Sequence, residues 1–182
     1  MRERTVDGWP WPEIVVYRRS AAPAAAIMAV YADFEAQSSF IPGIVTSRVL
    51  GHDSANATRV FYESEVTGPN EQYTVVTTVT NEGNAWLARW TLVSARYARR
   101  LEGSLRVVPR GTGSLVVYSS LVDPGRVAAT VGTPATVATR LTQTAEALTA
   151  RTERLATAEP KRLAALVDAL RSGSRAKETP AR

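Results

Sequence analysis

The side chains able to do chemistry in this sequence are few. His52 is the one histidine of the 182 residues, and cysteine is absent. Disulfides, thiolate zinc sites, iron–sulfur ligation, cysteine nucleophiles and multi-histidine metal sites are therefore excluded. A serine or threonine nucleophile needs a base within reach, and His52 falls in a polar stretch, GHDSAN, that reads as an exposed turn. Glu63 and Glu65 are spaced i, i+2, so they share one strand face. Paired carboxylates do acid–base work when burial separates their pKa values. These two lie on the same side as Arg59 and opposite Val60, Tyr62 and Val66, which predicts a solvated face with Arg–Glu pairing. Gly111-Thr112-Gly113 reads as a hairpin turn and not a phosphate cradle, and no HExxH, CxxC or EF-hand spacing occurs. No catalytic residue, metal or cofactor is assigned from the sequence.

The aromatic residues say more. Trp86 and Trp90 are i, i+4 on a predicted strand and share a face with Ala88 between them. Tyr62 and Tyr73 fall on the apolar faces of neighbouring strands by the same parity. Such indoles and phenols are either core or the wall of a pocket whose polar tips suit an amphipathic ligand. Ala88, Gly103 and Ser64 among the inward positions favour unfilled space.

The elements that must position these groups follow from periodicity. Residues 1–12 read as an irregular lead-in, because Trp9-Pro10-Trp11-Pro12 disfavours helix before each proline. Ile14–Tyr17 predicts a first strand. From Pro23, placed in a first helical turn, Ile27, Val30, Tyr31 and Phe34 mark one helical face. Ser38–Ile41 adds a short helical turn that Pro42-Gly43 breaks. Six β-rich segments then follow, at about 44–52, 57–67, 72–81, 85–94, 97–109 and 114–122. Their short connections predict an antiparallel meander. Leu101, Gly103, Leu105 and Val107 share one face of the fifth segment; for the sixth, both Leu115-Val117-Leu121 and Val116-Tyr118-Val122 are apolar, so the facing of Tyr118 is open. So is that of Arg48.

Thr133-Pro134 starts a helix, and Val137, Leu141, Ala145, Leu148, Thr152 and Leu155 form its apolar stripe. Over residues 134–157 it would span about 36 Å, enough to cross the sheet. Residues 159–171 predict a short amphipathic helix beyond Pro160, and 172–182 a disordered basic tail. The ligand-binding domain is thus expected over 13–158. The fold class is α+β: a seven-stranded curved antiparallel sheet wrapped round a long C-terminal helix, with two short helices between strands 1 and 2. A strongly curved sheet and a straight helix do not meet tightly at the centre, so a cavity is expected between them.

Charge agrees with a ligand-binding body. Residues 21–150 hold ten Arg against ten acids, while 151–182 hold eight Lys or Arg against four acids. The basic excess is mostly C-terminal, and no nucleic-acid partner is expected from a neutral body. Arg96, Arg99, Arg100 and Arg106 form its one basic cluster. No apolar run approaches a membrane span, and any membrane contact through KRLAALVDALR would be weak. The expected location is cytoplasmic if the chain is complete and exported if an N-terminal signal has been removed. The oligomeric state is left open.

Two stretches, APAAAIMAVYADFEAQSSFIPGIVTSRVL and GSLRVVPRGTGSLVVYSSLVDPG, resemble the START-like superfamily, which includes polyketide cyclase/dehydrase and Bet v 1-like proteins. The positions carrying the likeness are Pro23, Asp33-Phe34, Phe40-Ile41-Pro42-Gly43, Arg48-Val49-Leu50 and Asp123-Pro124-Gly125. The likeness covers about residues 13–157 and implies the helix-grip fold. It says less of activity, because the superfamily holds carriers, binders and enzymes. The expected function is non-covalent binding or transport of a small hydrophobic or amphipathic ligand, such as a lipid, polyketide, quinone or isoprenoid. The expected lining is Phe34, Phe40, Ile41, Tyr62, Tyr73, Trp86, Trp90, Leu105, Tyr118, Leu141 and Leu148, with Phe34, Phe40 and Ile41 near an open end. The alternative is a polyketide cyclase or dehydratase using Tyr, Arg or Glu groups in the cavity.

Overall fold

The computed structural model describes residues 1–128 and 132–173. Strands β1 (Arg2–Arg4) and β2 (Glu13–Ser20) precede helix α1 (Ala24–Ala32) and a 3-10 helix (Phe34–Ser39). Strands β3 (Ile44–Ser54), β4 (Ala57–Ser64), β5 (Glu71–Glu82), β6 (Ala85–Ala95), β7 (Arg100–Arg110) and β8 (Gly113–Asp123) follow. Helices α2 (Gly125–Ala128), α3 (Pro134–Ala158) and α4 (Pro160–Ser172) complete the order. All strands pair antiparallel in one sheet, in the order β1-β2-β8-β7-β6-β5-β4-β3.

The sheet has eight strands, not the expected seven. The addition is β1, inside the stretch expected to be irregular, where Arg2 pairs with Val15 and Arg4 with Glu13. Its three residues are all exposed, so no alternation marks it; an Arg4–Glu13 ion pair of 2.7 Å ties it down instead. Two strand ends also move. β4 stops at Ser64, and Val66 beyond it is 38% exposed. β7 starts at Arg100, because the Glu71 carboxylate accepts hydrogen bonds from the backbone N–H groups of Arg96 and Tyr97 and holds a turn there.

Pro23 precedes the first helical turn with extended backbone (φ −62°, ψ 149°) and occupies the cap position. The expected turn at 38–41 lies earlier, at Phe34–Ser39, because Asp33 already leaves helical geometry. α1 is buried almost all round, from Ala24 to Tyr31. One side meets β6 and β7; the other is covered by Leu163, Leu166, Val167 and Leu170 of α4. Arg162 of α4 lies 3.9 Å from Asp33, whose carboxyl is pushed up by burial and pulled back by that guanidinium. Gly173 ends α4 with a left-handed φ of 61°. The tail expected to be disordered lies, from residue 174 on, outside the described residues.

α3 grips the sheet through Ala138, Leu141, Ala145, Leu148, Thr149, Thr152 and Leu155. Its buried hydroxyls make no demand on the core, since Thr149 and Thr152 donate to the carbonyls of Ala145 and Leu148. Thr133 caps it by accepting from the Thr136 N–H at 3.2 Å. Thr133→Ala is expected to lower stability by about 1 kcal/mol, read as a shift in the urea midpoint. No helix among the described residues is long and apolar enough to cross a membrane.

Candidate functional site

Apolar packing divides in two. A large cluster joins α1, the inner faces of β4–β8, the end of α3 and α4. A small one joins Ile14 and Val16 of β2 to Ala138, Leu141 and Ala145 of α3. Tyr118 touches both. Between them lies a cavity of about 360 Å³, within the range of small-molecule sites. Its rim includes the exposed Pro42, Thr67 and Thr136.

Two aromatic pairs form its walls. Tyr62 and Tyr73, opposite each other on β4 and β5, stack with centroids 5.3 Å apart. Trp90 of β6 leans on Tyr118 of β8 at 5.3 Å and on Tyr31 of α1 at 6.2 Å. Trp90 can lie flat because position 103 on the facing strand is glycine: a Cβ there would sit 2.2 Å from the indole. The space that Ala88 and Gly103 were expected to leave is therefore filled by Trp90 at Gly103, and Ala88 is fully buried in the core. Ser64 does face the cavity.

Gln37 fixes the wall's polar edge. Its Nε2 donates to the Tyr31 carbonyl at 2.7 Å, and its Oε1 accepts from the Tyr62 hydroxyl at 2.8 Å. Tyr73 and Tyr118 line the cavity, and neither hydroxyl has a hydrogen-bond partner among the described residues. Burial pushes the phenols of Tyr31, Tyr62, Tyr73 and Tyr118 up from their ordinary value. They stay protonated and act as hydrogen-bond donors. Glu71 is the one carboxylate among the described lining residues, and Arg140 the one cation.

Of the residues expected to line a cavity, Ile41, Tyr62, Tyr73, Trp90, Tyr118 and Leu141 are on its surface. Phe34, Phe40, Trp86, Leu105 and Leu148 are not; they belong to the core around α1. Phe34 turns its ring edge to Tyr31 at 5.8 Å instead of the opening. Trp86, Leu105 and Leu148 share the inward face but lie where α1 and the end of α3 close on the sheet. Strand parity gives the side of Trp86 and Leu105 and not their depth, and the helical stripe likewise gives the face of Leu148 and not its level along the cavity. The even-numbered face of β8, with Tyr118, Ser120 and Val122, is the cavity face. Arg48 is exposed, over the Phe61 ring at 5.6 Å.

Sequence reasoning missed Tyr31, Gln37, Thr77, Ser120 and Arg140. Tyr31 was on the marked helical face, and Ser120 has the parity of Tyr118; Gln37 and Arg140 carried no signal of their own. The expected Arg59–Glu pairing is also corrected. Arg59 pairs with Asp53 at 3.0 Å, while Glu63 accepts from Asn70 at 2.8 Å. His52 is exposed within β3 rather than in a turn. The basic cluster is dispersed into separate partners, such as Arg106 with Glu82 at 2.7 Å.

A curved antiparallel sheet closed round a long C-terminal helix over an internal cavity defines the helix-grip class. Within that class, residues 12–153 match the profile of the family described as polyketide cyclase/dehydrase and lipid transport, and the chain belongs to that family. Three solved structures illustrate the likeness. A STAR-related lipid transfer protein from Xanthomonas axonopodis superposes with a TM-score of 0.72 at 22% identity, covering 83% of this chain and 91% of that one. A START superfamily protein from Mycobacterium smegmatis gives 0.61 at 22%, covering 79% and 98%. The Zhui aromatase/cyclase from a Streptomyces species gives 0.58 at 16%, covering 80% and 96%. At such identities the likeness shows the fold alone. No curated protein matches the chain in sequence.

Proposed function

We propose that this protein binds a small hydrophobic or amphipathic molecule without covalent chemistry. The observation that carries this reading is the cavity of about 360 Å³, walled by aromatic rings and holding two unpartnered phenol hydroxyls. Burial of ligand hydrocarbon supplies the drive, at about 25 cal/mol per Å². Tyr73 and Tyr118 orient the ligand as donors, since neither hydroxyl is spent on another described residue. A cyclase would need a group that moves protons near neutral pH. The phenols are pushed away from that range, and Glu71 is held by two backbone N–H groups. Binding therefore fits better than acid–base catalysis.

Fluorescence titration with N-phenyl-1-naphthylamine, an uncharged probe, tests this, together with native mass spectrometry after mild purification. Saturable uptake of one molecule per chain is expected. Thr144 lines the cavity from α3, and its hydroxyl donates only to the Arg140 carbonyl within the helix. Thr144→Phe therefore fills the space with little other loss, and should weaken the probe at least about tenfold without lowering the unfolding midpoint. A wild-type protein that takes up no probe would end the proposal.

A further inference from the structure

Arg140 stands out among the lining residues. It sits on α3 one position before Leu141, on the edge of the apolar stripe, and faces both the cavity and an outer depression at its rim. Its guanidinium donates to the Glu65 carbonyl and lies over Gly43, where a Cβ would come within 2.6 Å of Nη1. Those partners are backbone. Among the described residues no carboxylate lies within ion-pair distance of Arg140, although seven ion pairs form elsewhere among those residues. Glu65 offers its carbonyl and not its carboxylate, and Glu71 is occupied by the Arg96 and Tyr97 amides. Arginine has five side-chain N–H donors, and the Arg140 guanidinium makes one hydrogen bond among the described residues. Tyr73 lines the same cavity, and its hydroxyl has no hydrogen-bond partner among the described residues.

A fork of donors with positive charge, fixed at the mouth of an apolar cavity that the Tyr73 phenol also lines, is suited to a carboxylate. We infer that the cavity takes amphiphiles bearing a carboxylate head, with the head on Arg140 and Tyr73 at the rim and the hydrocarbon between Trp90, Tyr118 and Leu141. This rests on the binding reading above and narrows its ligand class. Gly43 belongs to the arrangement, because any side chain at that position would displace the guanidinium.

Dodecanoate and methyl dodecanoate differ at the head alone, and each is set to displace N-phenyl-1-naphthylamine at about pH 8, where the acid is ionised. The wild type should prefer the acid by about tenfold or more. In Arg140→Gln the acid-to-ester ratio should fall close to unity, and Arg140→Lys, which keeps charge but loses the fork, should retain part of it. Equal competition by acid and ester in the wild type would overturn the inference, as would a preference that survives Arg140→Gln. Both results leave probe binding in place, so they are distinct from failure of the binding reading, in which the probe itself does not bind.

Discussion

Gly103→Ala is expected to destabilise the protein by about 3 kcal/mol, at the upper end of the cost of overpacking a core. The added methyl group would sit 2.2 Å and 2.4 Å from two atoms of the Trp90 indole and 2.6 Å from the Ser119 carbonyl oxygen. The indole could yield only toward the cavity it lines, and the Ser119 carbonyl cannot yield at all without moving the strand. Tyr118 leans on it from one side and Tyr31 from another, and the Ser119 carbonyl belongs to the β8 backbone paired with β7. Urea unfolding followed by tryptophan fluorescence measures the loss. Trp90→Leu in the same background should restore part of it, because a smaller, flexible side chain can yield where the rigid ring does not. Stability within about 0.5 kcal/mol of wild type would show that the ring does not rest on Gly103.

Raising the pH should unfold this protein steeply above about pH 10. Burial pushes the phenols of Tyr31 and Tyr62 up well above their ordinary value of 10.0. The sign follows from linkage. A group whose folded pKa is raised keeps its full contribution below the unfolded pKa and loses it as pH rises towards the folded one. Above about pH 10 the unfolded chain releases these protons and the folded chain does not, so stability falls by about 1.4 kcal/mol per pH unit for each phenol. At pH 11 the two together should have lost about 3 kcal/mol, and Tyr73 and Tyr118 add to this in the same direction. Urea midpoints at about pH 9 and pH 11 measure the effect, and tyrosinate absorbance should rise together with unfolding. In Tyr31→Phe/Tyr62→Phe the pH dependence should be visibly shallower. A wild-type midpoint that does not change over that interval would contradict the burial of both phenols.

Most of the architecture was legible in the sequence, and the reasons are local. Alternation such as Trp86-Ala88-Trp90 needs only a water-facing and a core-facing side, and the Thr133-Pro134 start declares its helix by capping chemistry. β1 was invisible because Arg2–Arg4 buries nothing and pairs through backbone and one ion pair. The cavity was legible as a consequence of curvature, but its surface was read only in part. Trp86 and Trp90 share a strand face, yet one is core and the other wall, because α1 closes on the sheet at one end. That is a fact of the third dimension with no counterpart in spacing. Arg140 and Gln37 were missed for a related reason. Each owes its place to a partner far along the chain, Glu65 and Gly43 for the first, Tyr62 for the second.

The double attachment of Gln37 fixes one flank of the cavity. Its amide spends both ends, one on α1 and one on β4, and so rivets the 3-10 segment to the sheet across the flank of the chamber. Swinging that segment outward would break two buried hydrogen bonds at once. At the rim Pro42 lies with Thr136 and Arg140, where the Arg140 guanidinium is held by one backbone carbonyl. Displacing the first turns of α3 at the rim would break fewer side-chain hydrogen bonds than displacing the 3-10 segment.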